Sequence, residues 1–261
     1  MSIAIGARGG NTASKLEALA SAGQPIAYLE LTDAYDLGAE FFLWEFATAC
    51  AGWRIGVNPF DQPNVQEAKD ATKELLNTFV SQGNLPEQTA LVADKTLGVY
   101  VEGNSGETLP ATSIVDALRA HLATVKPRDY IAFLNYFEET SEFDAKLQEI
   151  RTYLRDATKC ATTIGYGPRF LHSTGQMHKG GPDTGLFFQL TAKDKKDFPV
   201  PGEPYTFSIL KQAQALGDFR ALSAHRRRAV RVDLGEDVSA GLQRLHELIV
   251  AALPVSVGAG K

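Results

Sequence analysis

Two short stretches concentrate the residues able to do chemistry. The first is Phe60-Asp61-Gln62-Pro63-Asn64-Val65-Gln66-Glu67-Ala68-Lys69, where a carboxamide precedes a lysine by seven positions at the start of a helical pattern. Pro63 suits a first helical turn, where its missing N–H is harmless. Asp61 or Asn64 is placed to cap that helix, and Asn64 with Glu67 has the spacing of a capping box. Val65, Ala68, Thr72, Leu75, Leu76 and Phe79 share one face, with Lys69 at its edge. A lysine there either carries its ammonium to solvent along its own methylenes or is held inside for use.

The second stretch is His172-Ser173-Thr174-Gly175-Gln176-Met177-His178-Lys179-Gly180-Gly181. It follows a strand-like run, and ligands of open α/β sheets gather at the carboxyl ends of strands. As a phosphate loop it fails, because no Gly-Lys-Ser/Thr follows at the required spacing. Gly165-Tyr166-Gly167 begins a dinucleotide fingerprint, but Phe170 stands where its third glycine belongs. His172 and His178 offer a zinc ion two ligands and no evident third. A polar substrate-binding loop with a histidine as general acid and base is the functional alternative. A solvated surface turn is the plain one.

The elements that position these stretches follow from periodicity. A helix is expected over 12–22, a strand over 25–31, and a helix over 37–51 that is apolar almost all round. Such a helix is buried between layers or covered at a subunit contact, and Cys50 on it reads as a small buried hydrophobe. The opening helix runs from 63 to about 81. A hairpin turns at Asp94-Lys95, Ser113 caps a helix carrying His121 inward, and 129–137 forms the strongest strand. A helix from Ser141 to about 157, strands over 160–165 and 185–190, a helix over 207–216, a strand over 229–234 and a helix over 238–253 complete the pattern. The stretch 170–183 is expected as a loop, with a second polar loop over 192–204. His225, in a basic turn, and His246 read as surface residues. Strands alternating with helices imply a three-layer α/β fold with a mostly parallel sheet and helices on both faces. We divide the chain into a lead-in, 1–24, and one α/β domain, 25–261.

Composition narrows the function classes. The 261 residues are 44% hydrophobic and 22% charged with a net charge of −5, ordinary for a globular protein and unsuited to a general nucleic-acid binder. Two distant cysteines fit a reducing cytosol better than a disulfide framework. No apolar run reaches the length of a membrane span. The expectation is a cytoplasmic protein without nucleic-acid or membrane partners.

Phe60-Asp61-Gln62 with Lys69 seven residues beyond Gln62 resembles the C-terminal signature of phosphoglucose isomerases. Gly38-Ala39-Glu40-Phe41-Phe42 through Gly56-Val57-Asn58-Pro59 is similar to the family's lead-in to that signature, and Leu171-His172-Ser173-Thr174-Gly175-Gln176 resembles its histidine motif. The histidine motif follows the Phe-Asp-Gln segment here, whereas ordinary members have it before. That order, with Gly165-Tyr166-Gly167-Pro168-Arg169 and Tyr205-Thr206-Phe207, resembles the isomerase half of fused transaldolase–phosphoglucose isomerase chains. The resemblance implies glucose 6-phosphate isomerisation to fructose 6-phosphate, part of glycolysis and gluconeogenesis, with no metal or cofactor. It implies that His172 opens the sugar ring with Lys69 as its partner, that Gln62 contacts substrate, and that Gln176, His178 and Lys179 are further loop contacts. The family's proton-transfer glutamate, an arginine and its Ser/Thr phosphate pocket belong to an upstream domain, and no motif for them occurs here. Gly103-Asn104-Ser105-Gly106-Glu107-Thr108 has the composition of a phosphate cradle but reads more plainly as a turn. The expected partners are therefore a phosphosugar and a complementing isomerase domain or a second copy. The alternative is a non-catalytic sugar-phosphate-binding or assembly module.

Overall fold

The hydrophobic runs resolve into two units of unequal size, residues 1–61 and 62–261. They are seen in a computed structural model that describes residues 2–5, 13–61, 63–103, 109 and 111–253. In the smaller unit, β1 (Ser2–Ile5) pairs in parallel with β2 (Ile26–Leu29) around α1 (Ala13–Ser21). Nothing in the sequence predicts β1, because four residues beside a glycine-rich run leave almost no pattern to read. α2 (Asp36–Ile55) runs a turn beyond its expected end and stops at Gly56, whose φ of 76° suits glycine. The layer expected over this helix is not present among the described residues. Phe41, Phe42, Phe46 and Trp53 are exposed, Trp53 to 84%. Cys50 is exposed for the same reason, which corrects its reading as a buried hydrophobe.

The larger unit opens with α3 (Pro63–Gln82), the hairpin β3 (Val92–Ala93) and β4 (Gly98–Tyr100), and α4 (Ile114–Leu122). β5 (Tyr130–Tyr136), α5 (Ser141–Thr158) and β6 (Ala161–Tyr166) follow. After β6 come a 3-10 turn (Arg169–His172), α6 (Gly175–Gly180), β7 (Gly185–Thr191), α7 (Phe207–Ala224), β8 (Arg228–Asp233) and α8 (Val238–Ala252). Side chains anchor the ends as expected: Asp94 Oδ1 accepts from the Thr96 and Leu97 N–H groups in the hairpin, and Ser113 Oγ from Asp116 N–H at α4. The sheet order is β3-β4-β8-β7-β5-β6. β6, β5, β7 and β8 are mutually parallel, while β4 runs antiparallel to β8. The chain leaves β5 toward β6 and returns to β7 on its other side, so strand order reverses at β5.

Alternation along the strands separates two cores. Ile131, Phe133, Leu186, Phe188 and Val230 pack with Leu118, Ile150 and Leu245 from α4, α5 and α8. Ala132, Leu134, Tyr136 and Phe187 meet Phe170, Leu171 and the α7 residues Ala215, Phe219 and Leu222 on the opposite face. α3 lies outside α7, with Leu75 against Ala213 and Leu216. That approach is close enough that a Cβ on Gly217 would stand 3.0 Å from the Thr72 backbone nitrogen. α7 continues two turns beyond the expected Leu216. Gly217-Asp218 breaks the apolar pattern, but Asp218 is a buried helical residue rather than a stop.

Candidate functional site

The glycine-rich stretch is a short helix, not the expected loop, and burial of two polar residues explains why. His178 and Lys179 on α6 are 3% and 1% exposed. The Tyr130 hydroxyl lies 2.8 Å from His178 Nδ1, and the imidazole meets the edge of Phe187. Burial, then the neighbouring Lys179 charge, pushes the His178 pKa down to about 4, so it is neutral near pH 7. Lys179 forms an ion pair with Asp218 of α7, both ends fully enclosed. Burial raises the Asp218 pKa, while Lys179, Tyr136 and Gln189 oppose the rise. Tyr136 is pushed well above its ordinary value by burial and then by the Asp218 charge. Together these groups lock α6 against the sheet.

Anchored in this way, α6 meets the amino end of α3. Asn64 N–H donates to Gln176 Oε1 at 3.1 Å, and Gln176 Nε2 returns a bond to Asn64 Oδ1 at 2.7 Å. Asn64 Nδ2 donates to Glu67 Oε2 at 3.2 Å, and His225 Nε2 stands 2.7 Å from the same oxygen. Asn64 is the second residue of α3 rather than its cap, so its side chain is free to bridge to α6. Gly180 is required beneath this bridge, because a Cβ there would fall 2.6 Å from Gln176 Nε2 and against Asn64 Oδ1. The two stretches singled out in the sequence are thus joined across 112 positions.

The remaining nominated residues lie apart from this bridge. Gln62 and residues 104–108 of the Gly-Asn-Ser-Gly turn are outside the described residues. Lys69 is exposed and makes no hydrogen bond or ion pair through its side chain with a described residue. At 3.6 residues per turn it leaves α3 about 160° around the axis from Glu67. His172 ends the 3-10 turn, exposed, with no hydrogen bond joining it to Lys69. His225 is exposed, as read from the sequence, and its imidazole pairs with the Glu67 carboxylate. Its partner is 158 positions away, and no local pattern signals it.

α6 also carries the chain away from the carboxyl ends of the strands. The Lys179 and Gly181 carbonyls are held by Arg227, immediately before β8 begins. At the carboxyl ends lies a separate cavity of about 630 Å³, lined in part by Phe143, Lys193, Lys195, Lys196 and Ser239. Among the described residues no three His, Cys, Asp or Glu side chains converge to hold a metal ion. Nor does any described helix have the length and apolarity to cross a membrane.

No family model matches the chain. A segment of 49 residues, 19% of the chain, is 41% identical to part of the glucose-6-phosphate isomerase of Leuconostoc mesenteroides subsp. mesenteroides, and it spans 11% of that enzyme's length. This is a partial similarity to an isomerase. Among solved structures, a hypothetical protein from Thermus thermophilus aligns with 57% of this chain and 41% of its own at 16% identity and a TM-score of 0.44.

Proposed function

We propose that this chain forms part of a glucose-6-phosphate isomerase, interconverting an aldose and a ketose phosphate together with a further isomerase domain. The observation that carries this reading is the local isomerase similarity, in a chain whose helix signature and glycine-rich stretch are hydrogen-bonded through Asn64 and Gln176. In this reading His172 moves protons as the ring opens, since an imidazole both gives and takes a proton near neutral pH. Lys69 supplies positive charge beside the ring oxygen, and Gln62 and Gln176 orient hydroxyl groups. His178 and Lys179 act beneath the site, holding α6 in register. The base that shuttles the proton between the first two sugar carbons comes from the other domain, as does the family's phosphate pocket. The bare aromatic face of α2 suits contact with that domain.

A second reading, a sugar-phosphate-binding module without catalysis, is favoured by one observation: His172 and Lys69 share no contact in the chain as it stands. One assay separates the two. The chain is mixed with an isomerase domain lacking this part, and fructose 6-phosphate formation is followed with and without His172→Ala. Activity that depends on both components and falls in His172→Ala supports the isomerase. Full activity in His172→Ala removes that residue's role, and an inactive mixture that still binds fructose 6-phosphate favours the binding module.

A further inference from the structure

A cavity of about 590 Å³ opens beside the start of β8, where α4 and α7 both end. Three consecutive arginines, Arg226, Arg227 and Arg228, contribute to its lining together with His121, and among the described residues no carboxylate does. Two of the three guanidinium groups are engaged. Arg228 pairs with buried Asp129 at 2.7 Å and donates to Thr124 O at 2.7 Å. Arg227 donates to the Lys179 and Gly181 carbonyls, and the nearest carboxylate, the half-exposed Asp183, is 3.6 Å away. Arg226 is exposed and makes no hydrogen bond or ion pair through its side chain with a described residue.

The backbone of Arg226 adds an independent argument. Arg227 N–H bonds to Leu222 O and Arg226 N–H to Ser223 O, closing α7 with the paired bonds of a Schellman motif. Arg226 occupies the left-handed position of that motif at φ 54°, where glycine is the favoured residue. Arg128 and Lys159 share a left-handed backbone, and Arg226 is set apart from them by lining a cavity whose described residues carry three arginines and no carboxylate. Helix carboxyl ends repel anions, yet the Leu222 and Ser223 carbonyls are taken up by the Arg227 and Arg226 backbone N–H groups and Thr124 O by the Arg228 guanidinium, while the Arg226 guanidinium stays free of described partners. His121 is consistent with this field: Arg228 adds to burial in keeping that imidazole uncharged.

We propose that this cavity binds a phosphate monoester, with Arg226 gripping the anion and Arg227 and Arg228 supplying the surrounding positive charge. Fork-shaped guanidinium groups suit phosphate oxygens. The proposal goes beyond the isomerase reading, because none of the residues assigned to that reaction lines this cavity.

The test uses the whole chain with inorganic phosphate and fructose 6-phosphate as probes and unphosphorylated fructose as control, followed by calorimetry and by amide NMR shifts. Saturable binding of both phosphates, and not of fructose, is expected at concentrations up to about 10 mM, as befits a single weak anion contact. Arg226→Gly is expected to weaken phosphate binding about tenfold, the loss of one charge-assisted contact, while its melting temperature rises. Opposite movement of affinity and stability is the signature, since a purely structural arginine would not give it. Unchanged phosphate affinity in Arg226→Gly, equal response to fructose, or no saturable binding would each overturn the proposal. None of these readouts needs isomerase activity, so a failed complementation assay leaves the result intact.

Discussion

Asn64 and Gln176 exchange two hydrogen bonds, one through backbone and one through side chain, and so hold the amino end of α3 against α6. Each side chain is half-buried, so the bonds are partly shielded from competing water. In a double-mutant cycle, Asn64→Ala and Gln176→Ala are expected to couple by about 1 kcal/mol, the net worth of hydrogen bonds that are not fully exposed. The cycle reports the side-chain bond, because the Asn64 backbone N–H remains in Asn64→Ala, and additive losses in urea midpoints would mean that this side-chain bond contributes nothing.

Gly180→Ala tests the same junction from below. The added methyl would overlap Gln176 Nε2 and Asn64 Oδ1, and both belong to a bonded pair with little room to retreat. A loss of about 1–3 kcal/mol is expected, typical of overpacking at a close contact. The prediction fails if the variant melts with the wild type, because the two helices would then separate without cost.

This junction marks how far the sequence could be read. Helical period placed α3 correctly, and the apolar runs at 129–137 and 185–190 identified the central strands, because a strand buried on both faces is largely apolar. Short-range spacing also revealed Ser113 and the Asp94 turn, whose partners are three residues away or fewer. What stayed hidden depends on distance along the chain. Nothing near His225 announces Glu67, and nothing near Lys179 announces Asp218. The same composition that suggests a polar loop at 172–181 also builds a helix, once two of its polar side chains find buried partners. For α2 the pattern allowed burial between layers or cover at a subunit contact, and the described residues supply no covering layer.

His121 gives a pH prediction. Its ring is buried against Phe188, with Nε2 3.2 Å from the Phe187 carbonyl, and its pKa is pushed down to about 3, mainly by burial. The native imidazole therefore stays neutral below pH 6.5 while the unfolded one gains a proton. The unfolded state binds more protons in this window, so stability falls as pH drops from 6.5 toward 3. Between pH 6.5 and pH 5 the loss from this residue is about 2 kcal/mol. His178, pushed down to about 4, adds in the same direction. Urea titrations at the two pH values should show a clearly smaller difference in His121→Gln. An equal difference in that variant would show that the ring is not held neutral.

The buried pair of Lys179 and Asp218 makes the opposite prediction. Burial raises the Asp218 pKa above its ordinary 3.8, and the ammonium beside it is the main opposing influence. Lys179→Met removes that influence and leaves a carboxyl group enclosed among Tyr136, Gln189 and apolar side chains. Its folded pKa then lies further above the unfolded value, so the native state binds more protons than the unfolded one. Stability is retained at low pH and lost as pH rises through the folded pKa, the reverse of the histidine effect. Breaking a buried pair in this way costs about 3–5 kcal/mol when the remaining charge is forced to ionise. The variant should therefore lose much more stability, relative to wild type, at pH 8 than at pH 5. Replacing both partners, Lys179→Met with Asp218→Leu, removes the buried charge and should recover much of the loss at pH 8. If Lys179→Met instead loses the same amount at both pH values, Asp218 is not titrating, and its carboxylate must find another cation when Lys179 is gone.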